Sequence, residues 1–315
     1  MDEDDERGCL EGGRQDSTVY CDGVQQASED PEDQTALTSR LSVKHVVEVM
    51  QKFDDYKRWL VSEIGFEGML NLPRSGKIDL RMSAWIMRKV KVKSRTIVID
   101  KERVLLFALE DFHKIFGVPC GNRVVRGRDG EIKNTTIEFM KQTIESSKIE
   151  KDCFQISFVI FVMGYVLSPG TKHEYMTIDF WGALANAELI SQFNWCEYAV
   201  DNLMSAVMKV QTEYNNKGDN SYVGCHLFFQ IFLLDNIDLG IFNMRHPVFP
   251  RVQCFNQKRL RQMITMAQCK QRGVLTYVLG AVRPPDSVCY TRTGGVELDV
   301  EAAQRKVHIE HDIAA

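Results

Sequence analysis

Two places in the sequence put a cysteine close to a histidine, the side chains that a cysteine nucleophile and its general base require. His113 lies seven residues before Cys120, and Cys225 directly precedes His226. Catalytic partners meet in space rather than along the chain, so nearness in sequence is weak support for a nucleophile. Both cysteines lie in apolar or turn-forming surroundings, where a buried thiol is inert. We therefore predict packing roles for them and no catalytic residue.

Carboxylates and histidines are the next candidates, as ligands for a metal ion. Asp235 and Asp238 follow a strongly apolar run, and a transposase-like centre would need such carboxylates to hold two Mg²⁺ ions. No third carboxylate is identifiable, and Asp and Asn favour helix ends and turns. We expect both residues, with Asn236, to satisfy backbone groups where a buried helix ends. His308 and His311 have no further ligands near them, so the sequence predicts no metal site.

Basic residues give a clearer functional signal. They form two groups, one before a predicted hairpin and one after the helix that follows it: Arg88, Lys89, Lys91, Lys93 and Arg95, then Arg123, Arg126 and Arg128. If the two groups converge, they form a face that binds nucleic-acid phosphates. The alternative is an ordinary solvated surface whose charge nearby acids balance, and short basic runs usually have that role.

The charge is distributed unevenly along the 315 residues. Residues 1–40 hold twelve acidic and three basic side chains, which leaves 36 Lys and Arg against 31 Asp and Glu in the remainder. The first 40 residues have few large apolar side chains and cannot offset the entropy of ordering, so we predict a disordered acidic tail. Residues 283–315 are predicted to be mostly disordered as well. One mainly helical domain over residues 41–282 remains, with a charge near +5.

The expected compartment is intracellular, and the nucleus is favoured over the cytoplasm. The first residues lack a basic segment and an apolar run, so they do not form a secretory signal. The longest apolar stretch, Phe154 to Leu167, is shorter than the roughly 20 residues of a membrane span, so no membrane association is expected. Nine cysteines form an odd set without a CxxC pair, which favours free thiols in a reducing compartment.

Helical periodicity dominates the predicted elements. Apolar residues between Ser42 and Gly65 recur at three- and four-residue spacing, which indicates one amphipathic helix. Thr96–Ile99 and Val104–Leu106, separated by a polar turn, indicate one small β-hairpin. The other predicted helices cover Ser83–Val90, Glu110–Phe116, Thr136–Ile144, Cys153–Leu167, Phe180–Ile190, Trp195–Tyr214, Cys225–Leu234 and Lys258–Lys270, with a further short one near Val300–Arg305. The predicted fold is a single, mainly α, multi-helix domain with one small hairpin.

Several motifs occur in an order that points to a known family. They are Gly65–Leu70, Glu110–Gly121, Asn194–Leu203, Gly224–Asp235, Pro250-Arg251 and Phe255. Together they resemble the aminotransferase-like plant mobile domain family, in particular the branch found in grass proteins beside ubiquitin-like (SUMO-type) cysteine proteases. The resemblance covers residues 42–270. Ala108 departs from the pattern, because family members often carry there a Thr that can cap the next helix.

The resemblance implies a domain derived from transposable elements with a poorly defined activity. It supplies no catalytic triad, because no protease segment follows residue 270. An aminotransferase would need a Schiff-base lysine and a phosphate cup, and no such set can be assembled here, so no pyridoxal phosphate and no other cofactor are expected. The first hypothesis is a non-catalytic interaction module with an unknown protein partner. The alternatives are a nucleic-acid-binding domain that uses the basic face, and an accessory domain of a SUMO-type protease.

Overall fold

A computed structural model describes residues 37–74, 78–125, 133–146, 150–170, 175–213, 221–271, 274–277 and 280–291. The fold is mainly helical with a few small sheets, which confirms the predicted class. The predicted acidic tail up to residue 36, and most of the predicted C-terminal tail with its short helix, lie outside the described residues. The helices are α1 Val43–Met50, α2 Asp55–Glu63, α3 Leu80–Lys89, α4 Leu109–Phe116, α5 Ile137–Glu145, α6 Lys151–Val162, α7 Trp181–Leu184, α8 Trp195–Glu213, α9 Leu227–Asn236 and α10 Gln257–Ala267.

Within the described ranges, the strands are short and form four separate small sheets. Their bounds are β1 Thr38–Ser39, β2 Val90–Lys91, β3 Thr96–Val98, β4 Val104–Leu106, β5 Lys133–Thr136, β6 Tyr175–Ile178, β7 Ser221–Tyr222, β8 Cys269–Gln271 and β9 Val274–Thr276. The predicted hairpin is present as β3 and β4, but β2 adds a third antiparallel strand on the other side of β3. The prediction of a single hairpin was therefore too simple, because β1–β7, β5–β6 and β8–β9 pair as well.

Helix α9 is the centre of the core. All ten of its residues are buried, and α3, α4 and α10 pack around it. Phe107 presents its ring edge-on to Phe228, Phe229 and Phe232, with centroid separations of 5.5, 5.7 and 5.9 Å. Edge-to-face contacts of this kind add to the stabilisation from apolar burial. The prediction that this apolar run forms a buried helix is confirmed.

Helix α6 is the second apolar element, and it packs against α2 and α5. Eight of its twelve residues are buried, and a π-helical turn over Met163–Leu167 continues it. The sequence predicted a single helix over this stretch. No helix among the described residues is both long enough and apolar enough to cross a membrane.

Two predicted helices are broken in the structure by polar caps. The helix predicted between Ser42 and Gly65 consists of α1 and α2, because the Asp54 carboxylate accepts the Lys57 N–H at 2.8 Å and starts a new helix. The break lets Phe53 pack against Phe154 and Phe158 of α6. The helix predicted over Phe180–Ile190 divides in the same way, because Asn186 caps a 3₁₀ helix over Ala187–Gln192 after α7 ends.

Interactions between residues close in sequence define both ends of helix α4. Ala108 has no side chain to cap it, but the buried Asp111 carboxylate accepts the Ala108 N–H at 2.9 Å and compensates for the missing hydroxyl. Gly117 ends the helix in the left-handed conformation with φ +62°. Gly68 lies directly against this turn, and a Cβ atom on it would come within 2.1 Å of the Phe116 carbonyl oxygen.

The described body extends beyond both predicted boundaries. Thr38 and Ser39, assigned to the tail by the sequence, pair in parallel with Ser221 and Tyr222. Beyond residue 282, the Thr291 N–H donates to the Asp111 carboxylate at 2.8 Å. Tyr290 and Val288 are buried in the same C-terminal segment. Ser39, Val288 and Tyr290 therefore belong to the packed body rather than to the tails.

Candidate functional site

His226 is fully buried at the start of α9 between two serine hydroxyls. Its Nε2 lies 2.9 Å from Ser39 Oγ, and its Nδ1 lies 2.8 Å from Ser83 Oγ. Ser83 also accepts from the Gln230 amide, so its hydroxyl is part of a wider buried network. Burial lowers the pKa of His226 to about 4, because a charged imidazole would lose its hydration.

The contact between Ser39 and His226 has the spacing of a nucleophile and a base, but its chemistry is unfavourable. A general base is most effective when its pKa lies near the working pH, and that of His226 is far below neutrality. A serine, rather than a carboxylate, lies on the other ring nitrogen. The neighbouring Cys225 thiol has a pKa raised by burial. This histidine therefore anchors β1 to α9.

The second predicted pair, His113 and Cys120, does not form a thiol–imidazole contact. His113 Nδ1 bonds to the Val118 carbonyl oxygen at 2.7 Å, which closes the turn after α4. Cys120 contacts the thiol of Cys196 instead. His113 and His226, the two histidines that the sequence paired with a cysteine, thus each have a structural partner.

Asp235, at the end of α9, is at the centre of a buried charged cluster. Arg251 donates to its carboxylate from Nε at 2.9 Å and from Nη2 at 3.0 Å, and both side chains are shielded from solvent. The Tyr290 hydroxyl donates to the same carboxylate at 2.7 Å. Burial opposes the charge of Arg251, but its hydrogen bonds to Asp235 raise the pKa of the guanidinium overall. The expectation that Asp235 satisfies backbone groups was wrong for its carboxylate.

Asp238 and Asn236 do have the roles that the sequence predicted. The Asp238 carboxylate accepts the Gly240 N–H at 2.9 Å, and this bond lowers its pKa. The Asn236 amide donates to the Phe232 carbonyl oxygen at 2.6 Å. Since Asp235 is bound to Arg251, the two aspartates do not form a metal-binding pair. In the part of the chain that the structure describes, no group of three or more potential ligands is placed to hold a metal ion.

His246 and Cys289 join the buried cluster, and neither was predicted from the sequence. Cys289 Sγ lies 3.2 Å from His246 Nδ1, and His246 Nε2 lies 3.4 Å from the Asp235 carboxylate. This is the order of contacts in a cysteine, histidine and aspartate triad. The signal that could have found the cluster is an aspartate at the end of a wholly apolar helix, because a buried carboxylate requires a cationic partner.

Three observations argue against activation of the Cys289 thiol by His246. Burial raises the pKa of the Cys289 thiol to about 11, so the thiolate is scarce at neutral pH. The Cys289 N–H donates to His246 Nδ1 at 3.1 Å, which occupies the lone pair that would accept the thiol proton. Arg283 Nη1 lies 3.0 Å from His246 Nε2, so Arg283 and Asp235 both approach this ring nitrogen. The arrangement therefore joins the C-terminal segment to α9.

The structure places the first basic group along α3 and β2, beside α8. Arg95 contacts Asp201 of α8 at 3.2 Å, and Lys89 lies over the Trp85 ring. Lys91 and Lys93 are exposed, and neither has a carboxylate within 4 Å among the described residues.

The second basic group is described only in part. Arg123 packs over the Phe193 ring at 4.7 Å, just before α8, whereas Arg126 and Arg128 lie outside the described residues. Arg95 contacts Asp201, six residues after the first residue of α8, so Arg95 and Arg123 both lie near the first turns of this helix. Asp201 and Glu197 project from these same turns. The ion pair with Asp201 neutralises part of the positive charge of the first group.

An apolar groove lies between α10 and the 3₁₀ turn Gly240–Phe242. We call it the α10 groove; its lining residues are Asp238, Leu239, Gly240, Ile241, Phe242, Met266 and Gly280. Its volume is about 340 Å³. Ile241 is 94% exposed and Met266 is 42% exposed. Ile241 and Met266 together form a small exposed apolar patch beside α10.

Comparison with known proteins places the chain in a family without an assigned activity. Neither the curated proteins nor the solved structures include a significant match to it. Residues 39–230, from β1 to the first turn of α9, match the model of one protein family. The match covers more than half of the chain, and the chain therefore belongs to the family described as a domain of unknown function, DUF8566.

Proposed function

We propose that this chain is a non-catalytic interaction module, derived from a transposable element, that binds a protein partner in the nucleus. The α10 groove carries the proposal, because its exposed Ile241 and Met266 offer apolar surface that a partner would cover. Tyr290 and Arg251 bind the Asp235 carboxylate, and the two serines hold His226, so these reactive groups have structural partners. The resemblance to plant mobile domains supports the same reading.

The chemistry of the groove indicates what the partner presents. Its apolar lining favours an apolar side chain from a helix or an extended segment, as in other groove-bound peptides. The pKa of the Asp238 carboxylate is lowered, so it is charged at neutral pH on the rim. A basic residue beside the apolar anchor would complement that charge.

The test is affinity capture from a nuclear extract followed by mass spectrometry, with two matched variants. Ile241→Asp places a charge in the α10 groove, whereas Phe139→Asp places one on α5, where Phe139 is 58% exposed. We expect the wild type and Phe139→Asp to retain a common set of proteins that Ile241→Asp loses. All three chains should unfold at similar temperatures, because both substituted positions are exposed. Retention of the same proteins by Ile241→Asp would contradict the proposal.

A second candidate is nucleic-acid binding by the segment Arg88–Arg95. Lys91 and Lys93 support it, because both are exposed and lack an acidic partner within the described residues. Labelled DNA and RNA would be titrated at two salt concentrations with the wild type and with the double variant Lys91→Ala/Lys93→Ala. Binding through phosphates should weaken steeply as salt rises, and the variant should bind more weakly. The double variant Lys258→Ala/Arg261→Ala removes exposed cations from α10 and serves as the control.

Equal binding by both double variants would exclude a specific role for Lys91 and Lys93. It would indicate a nonspecific electrostatic attraction between the protein and polyanions. Absence of binding at low salt would remove the nucleic-acid candidate. Neither result bears on the α10 groove, so the two candidates are tested independently.

A further inference from the structure

Two cysteines far apart in the sequence meet where the segment after α4 passes the start of α8. The side chains of Cys120 and Cys196 lie close enough to influence each other's ionisation. Their backbones are held together independently: Cys120 faces Asn194 in an antiparallel bridge. The Pro119 carbonyl oxygen accepts the N–H groups of Trp195 at 3.1 Å and Cys196 at 3.3 Å. These contacts place the backbones of the two cysteines beside each other, and a disulfide requires its two residues to be close in this way.

The two thiols differ in exposure. Cys120 is partly exposed, so a small oxidant in solvent can reach it, whereas Cys196 is fully buried. The Cys196 S–H has two acceptors within reach, the Val118 carbonyl oxygen at 3.5 Å and the Cys120 sulfur. When Cys120 loses its proton, the Cys196 S–H can turn towards the resulting thiolate and stabilise it.

The acidities of the two thiols agree with this geometry. The hydrogen bond from Cys196 lowers the pKa of Cys120, although partial burial and the charges of Glu110 and Glu197 oppose the shift. The same contact and burial raise the pKa of Cys196. Burial disfavours a thiolate at Cys196, so the accessible Cys120 is the thiol that loses its proton more readily. This is the division of roles between an attacking and a resolving cysteine.

We propose that Cys120 and Cys196 are a redox-sensitive pair that closes into an intramolecular disulfide when the chain meets a peroxide. The Cys120 thiolate attacks one peroxide oxygen, the O–O bond breaks, and Cys120 becomes a sulfenic acid while the other oxygen leaves as water or an alcohol. The Cys196 sulfur then attacks the sulfenic sulfur, and the displaced hydroxide takes the Cys196 proton and leaves as water. Two thiols are oxidised, and one peroxide is reduced by two electrons.

The disulfide would fix the segment after α4 to the start of α8. That segment already lies tightly against its neighbour, because a Cβ atom on Gly121 would come within 2.1 Å of the Gln192 carbonyl oxygen. A crosslink between distant parts of the chain restricts the unfolded state, so the oxidised protein should melt several degrees higher than the reduced protein.

The experiment treats the full chain with hydrogen peroxide, alkylates the remaining thiols under denaturing conditions and maps the peptides by mass spectrometry. The expected main product is a peptide pair joined through Cys120 and Cys196, which a thiol reductant separates. Cys153→Ser is the control variant, because Cys153 is the exposed cysteine among the described residues and competes for the oxidant. It should leave the yield of the disulfide unchanged.

Two further variants separate the steps. Cys196→Ser keeps a buried hydroxyl that can donate to Val118 and should leave Cys120 trapped as a sulfenic acid, which dimedone labels. Cys120→Ser should leave Cys196 reduced, because peroxide reaches it only through its neighbour. The proposal is overturned if wild-type Cys120 and Cys196 are both recovered fully alkylated while Cys153 is oxidised. The mapping of the wild type decides this even if a variant fails to fold.

Discussion

The guanidinium of Arg251 makes two hydrogen bonds to the carboxylate of Asp235, and neither side chain is accessible to solvent. This pair connects the end of α9 to the turn before α10, and Tyr290 brings the C-terminal segment to the same carboxylate. A buried ion pair contributes little net stability compared with apolar residues of the same size. Removal of one partner is costly, because it leaves the other charge buried and unpaired.

Arg251→Met should therefore destabilise the protein by about 3–5 kcal/mol, measured as the free energy of unfolding in urea. The double variant Asp235→Leu/Arg251→Met should lose less than the single variant, because no charge is left unpaired. Lys52→Ala is the control, since its ion pair with Glu145 is exposed and should contribute at most about 1 kcal/mol. A loss for Arg251→Met no larger than that of Lys52→Ala would contradict the prediction.

The protein should become less stable as the pH falls from about 6.5 to about 4, in part because of His226. Its pKa is about 4 in the folded chain, so the unfolded chain binds the proton more readily in this range. The stabilisation is complete above the unfolded pKa and is lost as the pH falls through the folded one. The effect of this one group amounts to about 3 kcal/mol. About 2 kcal/mol of this should appear between pH 7 and pH 5, where urea unfolding of the wild type and of His226→Gln is compared. An equal pH dependence in both chains would refute the prediction.

Loss of a buried aromatic ring from the core around α9 should lower the free energy of unfolding. Phe229→Ala removes a fully buried ring that packs against Phe107, and we expect a loss of about 3–5 kcal/mol. Phe158→Ala in α6 should cost a similar amount for the same reason. Phe139→Ala is the control, because that ring is exposed and its removal should change stability by less than about 0.5 kcal/mol.

Gly68→Ala should destabilise the contact between the 3₁₀ turn after α2 and the end of α4. The new Cβ atom would meet the Phe116 carbonyl oxygen at 2.1 Å, and backbone atoms cannot yield as a flexible side chain does. We expect a loss of at least about 2 kcal/mol, measured by chemical denaturation. Gly170→Ala provides the comparison, because a Cβ atom at that position would have nothing within 4 Å and the substitution should be neutral or slightly stabilising.

Deletion of residues 1–36 should leave the stability of the protein unchanged, whereas a longer deletion should lower it. A chain that begins at Leu37 should melt near the wild-type temperature, because the deleted residues have few side chains suited to a core. A chain that begins at Leu41 also loses β1 and leaves His226 Nε2 without the Ser39 hydroxyl. An unsatisfied buried acceptor costs about 1–3 kcal/mol, so the melting temperature should fall by several degrees. Equal melting of the two shortened chains would show that β1 contributes nothing.

The sequence by itself determined the elements that local rules control. The wholly apolar run of α9 and the left-handed Gly117 after α4 were both predictable, because periodicity and backbone preference depend on neighbouring residues only. The caps that the structure shows at Thr136 and Asn256 obey the same kind of local rule. The division of the first predicted helix at Asp54 was missed, since apolar spacing continues across a break that packing against α6 favours.

Only the tertiary structure decided which distant residues meet. Nothing in local periodicity pairs Asp235 with Arg251, places His246 against Cys289 or brings Cys120 to Cys196. The same holds for the pairing of Arg95 with Asp201 of α8 and for the packing of Arg123 over Phe193. Composition and spacing describe neighbours along the chain, whereas a charged cluster or a thiol pair depends on how helices pack. Helix packing depends on how the whole apolar surface of the chain is buried, so these contacts can be identified only from the tertiary structure.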